Sequence, residues 1–214
     1  MSEMASLRVA SLLASRLCHD LIGPLGAVDN GLELIAEEGR MAEEALALAQ
    51  RSAKRAAARL RYFRFAFGAA GEDASFGTSE ARGLAQNLLH TGEIQLAWSA
   101  AGAEILPPGA CRLLLNMILL GVDCLPRGGV IHILALPDRL SVDCTAPQAR
   151  VTPELKAAML LTAPLGELTA RTVVGYYAAL LAVELGGHLD IPQESPDRIR
   201  LESSLGSPLH SGAG

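Results

Sequence analysis

The sequence predicts an α+β protein made of an N-terminal antiparallel helical hairpin and a C-terminal α/β sandwich. Three observations support this class: coiled-coil spacing in the first third, a glycine-containing break near residue 70, and short apolar runs alternating with helical stretches thereafter. With 214 residues, half of them apolar, the chain is long enough to bury a substantial core. We expect the hairpin at residues 1–70, the sandwich at 76–203 and a flexible tail at 204–214.

Two long helices are predicted in the hairpin. Apolar residues recur at alternating steps of three and four, which is the seam of a helix bundle. The seam comprises Leu7, Ala10, Ala14, Leu17, Leu21, Pro24, Val28, Gly31 and Ile35, and then Leu46, Ala49, Ala53, Ala56, Leu60, Phe63 and Phe67. Gly39, within the turn at 37–40, is predicted to end the first helix. Because two helices bury too little alone, we expect a homodimer with a four-helix bundle.

The remaining elements are predicted in the order α-β-α-β-β-α-α-β-β, after a linker at 68–75. Helices are expected at 79–90, 108–124, 153–162 and 169–185, and strands at 94–99, 130–135, 139–144, 188–191 and 198–201. Pro137 and Asp138 are predicted to form a hairpin turn. This order favours helices on one face of a mixed sheet.

Composition excludes several classes of protein. A net charge of −5 gives no electrostatic footprint for nucleic acid or an anionic membrane, and the apolar run 173–183 is too short to cross a bilayer. Cysteines at 18, 111, 124 and 144 lack metal-ligand spacing, so we expect buried, reduced thiols. We therefore expect a cytoplasmic protein without a metal, a nucleic-acid partner or a membrane partner.

His19 is the candidate for chemistry. With Leu17 and Leu21 at seam positions, His19 falls at the heptad position that points most directly into solvent. Imidazole is largely neutral near pH 7 and is then a nucleophile. An incidental surface histidine is an equal alternative at this point.

The stretch 18–25, Cys-His-Asp-Leu-Ile-Gly-Pro-Leu, resembles the H-box of sensor histidine kinases. There the phosphorylated histidine is followed by an acid and, five residues later, by proline, and His19, Asp20 and Pro24 match. The resemblance implies that His19 carries the phosphoryl group and that Asp20 orients its imidazole or accepts its second proton. Arg16, one turn away, is a candidate to contact phosphoryl oxygens or else an ordinary surface arginine. Pro24 is expected to kink the helix.

The second part resembles the Bergerat-type ATP-binding domain of those kinases, with its nucleotide motifs lost. Asn116 remains from the N-box, whereas Leu120 stands at the metal-chelating position. Cys144, Ala146 and Gln148 replace the DxGxG motif at 142–148, and residues 172–175 stand where the phosphate-binding loop would lie. Gly186 and Gly187 keep the usual turn. These departures imply that ATP does not bind productively.

The combination is similar to the ChpT-type histidine phosphotransferases, dimeric relay proteins of alphaproteobacterial phosphorelays. Membership implies that His19 takes a phosphoryl group from the receiver aspartate of a hybrid kinase and passes it to cell-cycle response regulators. Mg²⁺ would come from the receiver, so no cofactor is expected on this chain. Leu21, Ile22, Gly23 and Leu25 are candidates for receiver docking, because receivers insert an amphipathic helix into such bundles.

Two other functions stay open on sequence alone. One is an ATP-dependent histidine kinase with diverged motifs, and the other is a non-catalytic dimerisation scaffold in which His19 is incidental. The second helix is also strongly basic, with Arg51, Lys54, Arg55, Arg59, Arg61 and Arg64. We expect most of these to pair with Asp29, Glu33, Glu37 and Glu38, although they are also suited to steering an acidic receiver pocket.

Overall fold

A computed structural model describes residues 3–37, 42–72, 76–90, 92–99, 101–103 and 106–206 and gives the elements in the predicted order. The helices are α1 (Glu3–Glu37), α2 (Ala42–Ala66), α3 (Thr78–Leu89), α4 (Ala110–Cys124), α5 (Pro153–Met159) and α6 (Val173–Glu184). Short 3₁₀ turns lie at Ala69–Glu72 and Leu165–Glu167. The strands are β1 (Ile94–Trp98), β2 (Gly129–Leu136), β3 (Arg139–Thr145), β4 (Leu189–Ser195) and β5 (Arg198–Ser204). Most of the predicted turn at 37–40 and the end of the predicted linker, 73–75, lie outside the described residues.

The hairpin of α1 and α2 packs through small side chains. A Cβ on Gly31 would lie 3.0 Å from both the Ala45 carbonyl oxygen and the Ala49 Cβ, so glycine permits this close approach. Ala45, Ala49 and Ala56 are buried on the facing side of α2. The helix α1 continues through Pro24 as one element. Small residues therefore let two long helices run closely side by side.

The sandwich contains a five-stranded sheet in the order β1-β2-β3-β5-β4 within the described residues. Strand β1 pairs with β2 in parallel, and the other neighbours are antiparallel. The β2–β3 hairpin turns at Pro137 and Asp138, as predicted, with Leu136 opposite Arg139. Its inner face packs on α4, where a Cβ at Gly121 would meet Cys144, Val142 and Ile131 within 3.3 Å. The predicted mixed sheet with helices on one face is thus confirmed.

The hairpin and the sandwich share one core centred on α4. The fully buried side chains of α4 include Leu113, Leu114, Leu115, Met117, Ile118 and Leu120. From the end of α2, the hydroxyl of Tyr62 donates to the Leu115 carbonyl at 2.7 Å, and Nδ2 of Asn116 donates to the Ala66 carbonyl at 2.8 Å. Buried polar groups need such partners, and here the pairing joins the two parts of the chain.

Two expectations are wrong in detail. The tail does not begin at residue 204, because β5 includes Ser204, Leu205 is buried, and the Gly206 amide donates to the Leu185 carbonyl at 2.9 Å. Residues 207–214 of the predicted tail lie outside the described part of the chain. Cys18 is exposed on the outer face of α1, whereas the other three cysteines are buried as expected. None of the described helices is long and apolar enough to span a bilayer.

Candidate functional site

His19 projects from the middle of α1 into solvent, and 77% of its side chain is exposed. The outward position predicted from the heptad is therefore what the structure has. The Nδ1 atom of His19 lies 3.1 Å from Oδ1 of Asp20. A carboxylate only accepts hydrogen bonds, so in this contact Nδ1 is the donor, and in the neutral imidazole the lone pair is then on Nε2. The contact with Asp20 engages Nδ1 and leaves Nε2 as the ring nitrogen available to an incoming partner.

Arg16 links this pair to the sandwich. Its Nε donates to Oδ2 of Asp20 at 3.0 Å, while Nη1 and Nη2 donate to Asp123 of α4 at 3.1 and 2.9 Å. Burial would lower the pKa of Arg16, but hydrogen bonds and the charges of Asp123 and Asp20 outweigh burial and raise it. Burial also raises the pKa of Asp123, against the opposing effect of Arg16. The guanidinium is therefore a charged bridge between two carboxylates.

Asp123 is the site residue that the sequence analysis missed. It is the single acid in the apolar helix α4, Ala110–Cys124, and a carboxylate in such a helix requires a charged or hydrogen-bonded partner. An isolated acid in an apolar helix was therefore the sequence signal that Asp123 has a charged partner. The identity of the partner was not available, because Arg16 lies 107 residues earlier in the chain.

Pro24 has a local consequence at the site. Proline has no amide hydrogen, so Pro24 cannot make the helical hydrogen bond to the Asp20 carbonyl. Arg59 of α2 donates to that carbonyl instead, from Nη1 at 3.3 Å. The basic helix α2 thus satisfies a backbone acceptor one residue from His19.

The predicted docking residues form a partly open apolar patch beside His19. Ile22 and Leu25 are 69% and 54% exposed, and Leu21 is half-buried. At Gly23, an added Cβ would meet no atom within 4 Å. A partner helix can therefore approach the backbone of α1 closely at this point.

An open cleft of about 1110 Å³ lies between the hairpin and the sandwich. Its walls include basic residues of α2, the end of α3, Leu125, Pro126 and Gly128. Among the described residues, Arg51, Lys54 and Arg61 make no ion pair with Asp29 or Glu33, so that part of the expected pairing is wrong for these three. The Glu37 side chain and Glu38 lie outside the described part. The cleft is therefore lined with positive charge.

Most of the residues that resemble nucleotide motifs are packed in the core, whereas Gln148 is exposed. Asn116, Leu120 and Cys144 are completely buried, and a Cβ on Gly175 would lie 2.9 Å from Cγ of Met159. The segment before α6 is held by Arg8 of α1, whose Nε donates to the Leu165 carbonyl at 2.6 Å. Within the described residues, no group of three or more His, Cys, Asp or Glu is placed to hold a metal ion.

Comparisons with known proteins identify the family. Residues 78–197 match the family model of the histidine phosphotransferase C-terminal domain. A protein phosphotransferase ChpT of Brucella abortus (strain 2308) is 36% identical over 199 residues, covering 91% of this chain and 94% of the relative. A bacterial phosphotransferase solved at 1.7 Å superposes with a TM-score of 0.81 at 35% identity, covering 95% of this chain and 98% of that one. The chain therefore belongs to the ChpT-type histidine phosphotransferases, which act in phosphorelays.

Proposed function

We propose that Nε2 of His19 is the atom that carries the phosphoryl group. The Nε2 lone pair attacks the phosphorus of an aspartyl phosphate on a donor receiver, an N–P bond forms, and the bond to the aspartate oxygen breaks. The aspartate carboxylate leaves with the electron pair. Asp20 accepts the Nδ1 hydrogen bond and stabilises the positive charge that develops on the imidazole. The exposed His19 bonded to Asp20 is the observation that carries this proposal.

Transfer to the acceptor is the reverse of the same reaction on a second receiver. The receiver of a hybrid kinase is the proposed donor, and the receivers of response regulators, including one of the cell cycle, are the proposed acceptors. Each receiver supplies its own Mg²⁺, so the chain needs no cofactor. The patch of Leu21, Ile22, Gly23 and Leu25 is the proposed docking surface, and the basic cleft steers the acidic receiver pocket toward it.

A second copy of the chain is proposed to complete a four-helix bundle. Outside the proposed docking patch, the exposed large apolar side chains of the hairpin are Met4, Leu7, Leu32, Leu34, Leu46, Leu48 and Leu60. Leu46 and Leu60 lie fourteen residues apart on α2, and Leu32 follows Gly31, which packs against Ala45 and Ala49, so these leucines define the proposed stripe along the hairpin. The double variant Leu32→Glu/Leu46→Glu changes this stripe away from His19. Sedimentation velocity should give a dimer for the natural chain and a monomer for the variant.

We propose that the sandwich acts without ATP, in the cytoplasm where receivers operate. The burial of Asn116, Leu120 and Cys144 supports this, because these side chains cannot reach a nucleotide without unpacking the core. The kinase alternative requires ATP to enter there. The scaffold alternative requires that His19 be dispensable.

One experiment separates the three functions. The chain is incubated either with a receiver carrying labelled aspartyl phosphate or with labelled ATP alone. Acid-labile label should appear on the natural chain from the receiver only, and His19→Ala should abolish it. His132→Ala, which changes an exposed histidine on the sheet, is the matched control and should label normally. Label from ATP would favour the kinase, and label from neither source with several receivers would favour the scaffold.

A further inference from the structure

A chain of three charged side chains connects the sandwich to His19. Asp123 lies near the end of α4 and contacts Arg16 through both carboxylate oxygens. Arg16 contacts Asp20, and Asp20 contacts His19. Asp123 thus lies three contacts from the phosphoacceptor, on a different part of the molecule.

The geometry of Arg16 makes its two carboxylates interdependent. A guanidinium donates in a rigid planar fork, and the bidentate contact with Asp123 fixes the plane of that fork. With the plane fixed, only Nε faces Asp20, and it engages Oδ2 alone. The other oxygen, Oδ1, is left for Nδ1 of His19. Without Asp123, the fork is free to rotate and to take both oxygens of Asp20.

Burial makes this arrangement specific. The side chains of Arg16, Asp20 and Asp123 are 13%, 19% and 24% exposed, whereas the side chain of His19 is 77% exposed. Screening by solvent is weak for such partly buried charges, so removing one changes the field on the others. The side chains of Asp123, Arg16 and Asp20 are thus largely shielded from solvent, whereas the His19 imidazole at the end of the network is exposed.

We propose that Asp123 is a positioning residue for phosphotransfer: it holds Arg16, and through Arg16 the Asp20 carboxylate, so that Nδ1 of His19 keeps its proton and Nε2 stays the nucleophile. This inference rests on the proposed function of His19. It also assigns Arg16 a positioning role, since a contact with phosphoryl oxygens would require its side chain to leave a carboxylate. The sandwich then sets the reactivity of the hairpin.

The variant Asp123→Asn tests the proposal, because it keeps the shape of the side chain and removes its charge. The full-length chain is studied by ¹⁵N NMR of the His19 imidazole, which reports the nitrogen that carries the proton. We expect the Nδ1–H form to lose population in Asp123→Asn. We expect kcat for transfer from a phosphorylated receiver to fall about tenfold, with the KM for the receiver unchanged, as for a misplaced reacting group.

A matched control separates positioning from simple attachment of the hairpin. Arg8→Gln removes a different contact between α1 and the sandwich, the one from Arg8 to the carbonyls of Leu165 and Gly166. It should leave both the tautomer and kcat unchanged. The double variant Arg16→Gln/Asp123→Asn should be no slower than Arg16→Gln, because Asp123 acts only through Arg16.

The outcomes are distinguishable. An Asp123→Asn chain with the natural tautomer and rate overturns the proposal, as does an equal loss of kcat in Arg8→Gln. If Asp123→Asn unfolds, two variants with longer side chains give the test: Asp123→Glu keeps the charge, and Asp123→Gln removes it. The population of the Nδ1–H tautomer and kcat should then be higher in Asp123→Glu than in Asp123→Gln. Failure of the natural chain to take up label would contradict the proposed function of His19. The tautomer measurement uses no receiver, so it tests the effect of Asp123 on the His19 imidazole independently of phosphotransfer.

Discussion

The segments around His19 and Asn116 both resemble kinase motifs, but His19 lies at the surface and Asn116 lies in the interior. His19 is 77% exposed, whereas Asn116 and Leu120 are completely buried. Around His19, polar side chains form a connected network that ends at solvent. Around Asn116, the amide instead donates to the carbonyls of Ala66 and Arg112. A motif indicates chemistry only where its side chains can reach a partner.

This difference suggests how the two parts divide their work. Asn116 joins α4 to the end of α2, and Asp123 joins α4 to Arg16 of α1. The helix that resembles a nucleotide-binding element therefore contacts both helices of the hairpin. In this interpretation the sandwich is a support for the histidine-bearing helix.

The largest expected effect is at His19. His19→Ala should reduce transfer at least about a thousandfold, because in the proposed reaction His19 provides the nucleophile. Its free energy of unfolding should change by less than about 0.5 kcal/mol, because the side chain is exposed. Transfer assays and urea denaturation check the two parts. Substantial residual transfer would contradict the assignment and place the phosphoryl group elsewhere.

Leu120→Asn tests whether the buried motif can regain nucleotide binding. It restores the asparagine of the N-box, and it should still destabilise the chain by about 3–5 kcal/mol, because it removes a buried leucine and buries an amide. Calorimetry with Mg²⁺ and ATP should detect no gain of binding. Val183→Asn, at a position that is 54% exposed, is the matched control and should cost less than about 0.5 kcal/mol. Recovery of ATP binding would show that the motif was lost at one residue only.

Asn116→Ala should have an intermediate effect. It removes two hydrogen bonds, of 2.8 and 2.9 Å, and leaves the buried Ala66 carbonyl without this donor. A cost of about 1–3 kcal/mol follows, read from the shift of the urea midpoint. Transfer by the folded fraction should stay close to normal. A large loss of transfer without a loss of stability would mean that Asn116 takes part in the reaction.

The smallest expected effect is at Asp143, in the segment that resembles the adenine-binding motif. Burial would raise its pKa, but hydrogen bonds and charges from Arg198 and Arg200 outweigh burial and lower it. A lowered pKa means that the ionised carboxylate stabilises the fold above about pH 4, the unfolded value, and that this contribution is lost as pH falls further. Asp143→Asn should therefore flatten the acid limb of the stability curve. Thermal unfolding between pH 5 and 2.5 measures it, and identical limbs would contradict the ion pairs.

Local patterns were enough to predict most of the fold. The seam spacing predicted both helices of the hairpin and the outward position of His19, because side-chain direction in a helix follows from spacing. The predicted seam is wrong at Leu7, Leu46 and Leu60, which are exposed. The strands and the turn at Pro137 and Asp138 followed from β-branched runs and turn residues. The predicted start of the tail at residue 204 is wrong, because Ser204 still pairs with β3 and the Gly206 amide donates to the Leu185 carbonyl.

The composition of the site depended on packing between distant residues. His19, Asp20 and Pro24 could be recognised in sequence because they are neighbours on one helix. The contact of Arg16 with Asp123 could not be recognised, since the two residues lie 107 positions apart, nor could the contact of Arg59 with the Asp20 carbonyl, 39 positions apart. The burial of Asn116 and the exposure of Cys18 likewise follow from which face of each helix meets another element. The order of residues along the chain thus specified the helix that bears His19, whereas docking of that helix on α4 decided which charged side chains contact it.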